Sequence, residues 1–234
     1  ACNNLKLFSC QYTSISLFFV VLLSHPTGNA NSRQLALALA EAGWLKSVVT
    51  GFAVGPHPAD SLPGWRLLPQ RLQREFLRRS WPASVASRLQ PHPLPDLLHS
   101  TLIRSSFFRG SGFRRRLADW HYLWHDRHVA NHHLCHGLGA VIAVEDAATE
   151  TLLAARRRGS YTILELPTLH HETVARWHRQ EAERNPQFRD MLTEVQVQDW
   201  KIKRKKHALE AADLILVPSQ LVSKSCLDAG IPFE

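Results

Sequence analysis

The sequence predicts an α/β fold, a doubly wound and mostly parallel sheet with helices on both faces. Two observations carry this. Short apolar runs alternate with amphipathic stretches along the chain, and turn residues mark each switch. With 44% apolar residues over 234 positions, the chain can bury a substantial core, which excludes wholesale disorder.

The first element is an apolar strand over 18–23, inside "SISLFFVVLLS" (14–24). That run is far short of the ~20 residues that span a bilayer. An alternative is the apolar region of a signal peptide, with "GNA" (28–30) as its cleavage site, but Lys6 is the only basic residue upstream. The continuation favours the strand. Asn29 or Asn31 can cap a helix whose Leu35, Ala38, Leu39 and Ala42 share one face, and Gly43 ends it. "LKSVVTGFA" (45–53) then reads as a second strand, completing a βαβ unit. Residues 1–16 show no such pattern and form an unassigned extension; the domain is taken as 17–234.

Residues 54–136 are less regular, with proline-rich punctuation and helices expected near 69–79, 95–104 and 113–134. Regularity returns with "GAVIAVED", a strand ending in acids. A helix over 147–158 follows, with Asp146 placed to cap it and Ala148, Leu152 and Ala155 on one face. Arg156, Arg157 and Arg158 suit its C-terminal end. "SYTILEL" (160–166) is the next strand, stopped by Pro167. The last unit is a strand over 214–217, Ser219 as N-cap, a helix, then Gly230 and Pro232.

The net charge of +8 favours anionic partners such as nucleic acid, phosphorylated substrates or an acidic membrane surface. Cys2, Cys10, Cys135 and Cys226 are scattered without a CxxC pair, which fits free thiols in a reducing compartment.

In open α/β sheets ligands bind beyond the carboxyl ends of the strands, so three loops are candidates. "SHPTGNAN" (24–31) offers Gly28, Asn29 and Asn31 at a helix start, suited to a phosphate or to close substrate approach. With one glycine it is neither a dinucleotide fingerprint nor a P-loop, and a tight turn with an N-cap explains it equally. Glu145 and Asp146 could act as a base or bind a sugar hydroxyl; Asp146 as a plain N-cap is the alternative. His170 and His171, in "ELPTLHHE" (165–172), could position an acceptor or move protons, or could simply begin a partly exposed helix.

Two further motifs have simpler readings. His121, His125, His128 and His132 share one helical face, followed by Cys135 and His136. They could bind zinc or nickel, but HExxH is absent and a solvated face is simpler. "KIKRKK" (201–206) likewise reads as a solvated face, without the aromatic interleaving of a single-strand binder.

The segment "ADLILVPSQLVSKSCLDAGIP" (212–232) resembles the last strand–helix unit of the N-terminal domain of retaining GT-B glycosyltransferases of family 4 (group 1) type. "LLSHPTGNANSRQLALALAEAG" (22–43) resembles that domain's first strand, loop and helix, and "AVIAVEDAATETLLAARRRGSYTILELP" (140–167) its middle sheet. "EAERNPQF" with "KRKKHALEAAD" resembles the helical connector before the final strand. The resemblance implies a Rossmann-like domain forming the acceptor side of a cleft, with the donor-binding domain and its E-x7-E motif outside these residues. It implies hexosyl transfer with retention from a nucleotide sugar to a sugar, lipid or small-molecule acceptor, no metal, and no activity of this half alone. The implied location is cytoplasmic, with peripheral contact to the inner membrane face and no nucleic acid. Many members carry a histidine near the strand end that reads Val144-Glu145-Asp146 here, so no histidine role transfers to it. The rival reading is a non-enzymatic basic α/β module that binds anionic membrane or nucleic acid.

Overall fold

The computed structural model describes residues 20–61, 64–104, 111–192 and 198–232. Six strands form one sheet: β1 (Val21–His25), β2 (Leu45–Thr50), β3 (Leu89–Pro91), β4 (Ala140–Val144), β5 (Tyr161–Glu165) and β6 (Leu214–Leu216). Their order is β3-β2-β1-β4-β5-β6, and every pairing is parallel. This is a Rossmann-like sheet, with its switch in strand order between β1 and β4.

The helices are α1 (Ala30–Glu41), α2 (Pro58–Ser61), α3 (Gln70–Arg78), α4 (Ala83–Ala86), α5 (Pro93–Arg104), α6 (Ser111–His132), α7 (Thr149–Arg157), α8 (His171–Arg184), α9 (Asp199–Ala211) and α10 (Gln220–Asp228). Alternation along each strand sends neighbouring side chains to opposite faces. Val21, Leu23, Val48, Ala140 and Ile142 pack with Ala36 and Leu39 of α1, with Trp81, and with Val85 of α4. Leu22, Val49, Val141, Ala143 and Leu164 pack on the other face against Val129 of α6, Leu152 and Ala155 of α7, and Ala208 and Ala211 of α9. The central strands β1, β2 and β4 are buried on both sides, which is why they read as continuous apolar runs.

Several expectations shift. The first strand is Val21–His25 rather than 18–23, and 17–19 lie outside the described residues. As the central strand, paired with β2 and β4, it is part of the domain. The second strand ends at Thr50, because Gly51 turns to donate its N–H to the Pro26 carbonyl at 3.0 Å. A Cβ on Gly51 would stand 2.4 Å from that oxygen, so the loops after β1 and β2 need a glycine where they meet. The buried face of α1 is Ser32, Ala36 and Leu39, while Ala38 and Ala42 are exposed; small side chains at 32 and 36 let the helix lie close to the sheet. The strand β3 is absent from the sequence reading. Three residues are too few for a period-two signal, and Pro91 is tolerated because β3 is an edge strand.

The N-cap assigned to Asp146 is also corrected. Glu145–Ala147 form a 3-10 turn, α7 begins at Thr149, and the residue at its N-cap position, Ala148, gives no side-chain cap. The acceptor comes from another helix. Asp126 of α6 takes the N–H of Glu150 on Oδ2 and of Thr151 on Oδ1, each at 2.9 Å. It also pairs with Arg204 of α9, whose other nitrogen reaches Glu150 at 3.2 Å. Asn29 and Ser219 cap α1 and α10 as expected. Asp213 explains the Ala-Asp before the last strand: its carboxylate takes the Thr162 N–H and hydroxyl, each at 2.8 Å, which ties β6 to β5.

Asp126→Ala should therefore cost about 3–5 kcal/mol, since it removes the buried partner of Arg204 and a helix cap in one step. Urea denaturation measures it; a loss below about 1 kcal/mol would show that water replaces the carboxylate.

Candidate functional site

Because β1, β4 and β5 are parallel neighbours, the segments that follow them emerge at one edge of the sheet. At the switch between β1 and β4, the loop 26–29 faces the turn 145–147, with Ser24 paired to Ala143 in register.

A groove of about 220 Å³ opens there between α6 and α9. Its polar lining includes Asp119, Tyr122, Glu145, Asp146, Lys201 and Lys205, with Trp200 at one side. Lys205, 8% exposed, lies 3.2 Å from Glu145 and 3.7 Å from Asp146. Lys201 pairs with Asp119 at 2.8 Å. Burial opposes the charge on Lys201, but Asp146 and Asp119 outweigh it and raise its pKa. The Tyr122 phenol is pushed up chiefly by burial and then by Asp146, while a hydrogen bond with Thr27 works the other way. Thr27 and Tyr122 thus join the β1 loop to the groove.

The basic run is solvated only in part, at Lys203 and Lys206. Lys201, Arg204 and Lys205, spaced i, i+3, i+4, turn inward to acids on α6 and on the turn after β4. That spacing was the available signal, but a charge run on a helix is ordinarily solvated and reads so.

The β1 loop is organised by His25, whose role the sequence conceals. Its buried Nδ1 accepts the N–H groups of Thr27 at 3.2 Å and Gly28 at 3.0 Å. Burial lowers its pKa to about 4, so the ring is neutral with its proton on Nε2. The amides of Thr27 and Gly28 are therefore engaged within the loop, and an anion would meet the Asn29–Asn31 end. Gly28 itself is buried with φ +58°, and a Cβ there would stand 2.6 Å from Trp81 Cζ2. A valine at 28 would drive its side chain into the core against Trp81 rather than into a ligand's path.

His170 and His171 are buried, not a partly exposed helix start. His170 caps α8, its Nδ1 accepting the Glu172 N–H at 3.4 Å, and its own N–H is donated to Ser225 Oγ at 2.9 Å. Their ring centroids lie 4.2 Å apart. Burial lowers both pKa values, that of His171 to about 4, with the neighbouring His170 and Lys205 adding to the effect on His171. Lys205 thus stands between the Glu145–Asp146 turn and the histidine pair. Of the predicted residues, Glu145 and Asp146 line the groove itself. Gly28, Asn29 and Asn31 are not among the lining residues, nor are His170 and His171; the first loop reaches the groove only through the Thr27–Tyr122 hydrogen bond, and Lys205 acts on His171 from the groove wall.

The histidine face of α6 is likewise not solvated. His121 and His125 are each 1% exposed, and His128 is half-buried; His132 and His136 are exposed. His125 Nε2 meets Ser24 Oγ at 3.1 Å beneath β1, and His121 stacks on His99 of α5. With β1 and α5 packed over it, this face stays polar in sequence yet buried in the fold. None of these histidines is part of the groove lining.

No family model matches the chain, and no curated protein matches it. Among solved structures, that of Arabidopsis thaliana UGT89C1 complexed with UDP-L-rhamnose aligns at a TM-score of 0.31 and 11% identity. The alignment covers 93% of this chain and 57% of the other, so the chain spans little more than half of that protein's length. Among the described residues, no helix is long and apolar enough to cross a membrane.

Two outcomes follow. Gly28→Val should cost roughly 2 kcal/mol or more of stability, through strain and the clash with Trp81, and so lower the thermal midpoint; an unchanged midpoint would mean the loop relaxes freely. Acid should also destabilise the fold. Burial holds His25 and His121 near about 4, whereas unfolded histidine titrates near 6.5. Their contribution is complete above pH 6.5, falls as the unfolded chain takes up protons, and is gone below about pH 4. Midpoints measured across that window should fall with a slope steeper than one proton per molecule; a flat profile would contradict the buried neutral rings.

Proposed function

We propose that residues 17–234 are the acceptor-side, Rossmann-like half of a retaining GT-B glycosyltransferase of family 4 type, acting with a donor-binding domain that lies outside these residues. The observation that carries the reading is the polar groove at the switch point of the sheet, where such folds bind ligands. The resemblance of 212–232 to the closing unit of that domain supports it.

In this reading the enzyme transfers a hexosyl group from a nucleotide sugar to a sugar, lipid or small-molecule acceptor. Asp146, half-exposed at the groove, takes acceptor hydroxyls as hydrogen-bond donors, and Glu145 supports it through their shared Lys205. His170 and His171, neutral at physiological pH, complete the acceptor side beyond Lys205. Asn29 and Asn31 meet the approaching donor diphosphate at the N-terminus of α1, whose dipole favours negative charge, and Gly28 shapes the bend that leads there. Catalysis rests on positioning and on charge stabilisation of the departing diphosphate, with no covalent nucleophile on this half and no metal in the transfer. The protein acts in the cytoplasm, touching an anionic membrane surface peripherally when its acceptor is a lipid, and nucleic acid is not a partner.

Release of nucleoside diphosphate by the protein carrying its donor domain is the test. Asp146→Asn should reduce kcat/KM on the order of 10- to 100-fold with little change in thermal midpoint, because this side chain is half-exposed. The 234-residue chain alone should transfer nothing. Full activity in Asp146→Asn would remove Asp146 from the site, and turnover by the isolated chain would overturn the half-enzyme reading.

A further inference from the structure

Away from the groove, three imidazoles from separate segments converge. His92 follows β3, His128 lies on α6 and His133 follows that helix. Nε2 of His92 is 2.8 Å from Nε2 of His133 and 3.1 Å from Nε2 of His128. One ligand atom from each lies within 4.8 Å of the others, and all three side chains are half-buried.

An imidazole nitrogen carries one in-plane proton or one in-plane lone pair. The His133 tautomer is set from outside the cluster: its Nδ1 donates to Oε1 of Gln90 at 2.6 Å, which leaves Nε2 as a lone pair. Nε2 of His92 then faces two nitrogens with a single proton or a single lone pair to offer. A cation at the centre uses all three lone pairs together. Tetrahedral zinc with Zn–N bonds of about 2.0–2.1 Å separates its nitrogens by about 3.3 Å. The observed spacings are a few tenths of an ångström shorter, so a small outward movement of the rings admits the ion.

The surroundings resemble a prepared site. Gln90 supplies the outer hydrogen bond that fixes a ligating ring. Trp124 stacks on His128 at a centroid distance of 4.7 Å and holds its plane. The neighbouring group of Asp96, His99 and His121 differs. The Asp96 carboxylate is already committed to Arg79, to the Phe52 N–H at 2.9 Å and to Ser100, and the rings of His99 and His121 stack on each other rather than converge.

We propose that His92, His128 and His133 bind one divalent transition-metal ion, zinc by ligand type and geometry, with water in the fourth position. The ion joins the segment that follows the three-residue edge strand β3 to the C-terminal end of α6; β3 itself is held by its pairing with β2. This site is independent of the sugar-transfer reading.

The test is zinc titration of the chelator-treated chain by calorimetry, together with the visible spectrum of the cobalt form. One saturable equivalent, the intense absorption of a tetrahedral cobalt centre and a raised thermal midpoint are expected. His128→Ala and His133→Ala should lose all three, whereas His99→Ala and His132→Ala should keep them. Gln90 is exposed, so Gln90→Leu should fold normally and bind zinc roughly 10- to 100-fold more weakly. Absence of a saturable equivalent, its persistence in His133→Ala, or unchanged affinity in Gln90→Leu would each overturn the proposal.

Discussion

The carboxylate of Asp126 is the constraint on which the helical layer beside the groove depends. It is fully buried, and a buried carboxylate is tolerable only when its lone pairs are engaged. Here they are: two go to the first-turn amides of α7, and the Arg204 guanidinium adds the opposite charge from α9. One side chain thereby fixes the mutual placement of α6, α7 and α9 over the same face of the sheet. One and two turns earlier on α6, Tyr122 and Asp119 face the same partner helix, where Asp119 repeats the pairing with Lys201. The groove is the space these charge pairs hold open.

This arrangement also explains why Asp146 is available at the edge of the sheet. A residue between a strand and a helix would ordinarily be consumed in capping that helix. With α7 capped from α6, Asp146 remains half-exposed beside Lys205, and Glu145 is held beneath it. His25 plays a parallel part in the first loop. Its neutral ring gathers the amides of Thr27 and Gly28, so the bend into α1 is fixed without the glycine-rich sequence that such loops often use.

The apolar runs of β1, β2 and β4 are legible in the sequence because these strands are buried on both faces, and the caps at Asn29 and Ser219 are legible because capping is a local interaction. The strand β3 and the burial of Trp81 are not, since both depend on contacts distant in sequence. The polar helices mislead for a related reason. Along α6, residues 119, 122 and 126 face α9, while 121 and 125 face β1 and α5, so neither face shows an apolar stripe. The lysines of α9 mislead in the same way. Of the candidate loops, the positions after β1, β4 and β5 follow from strand order alone, but the groove wall supplied by Tyr122, Lys201 and Lys205 requires the pairing of two helices that are far apart in the chain.

The central claim is that the carboxyl edge of this sheet, at the switch between β1 and β4, receives the substrates of a sugar transfer. Amide hydrogen exchange of the protein carrying its donor domain, with and without nucleotide sugar and acceptor, tests it most directly. Protection should appear together in 26–31, 145–148 and 199–206. Ligand-dependent protection that leaves all three segments unchanged would contradict it.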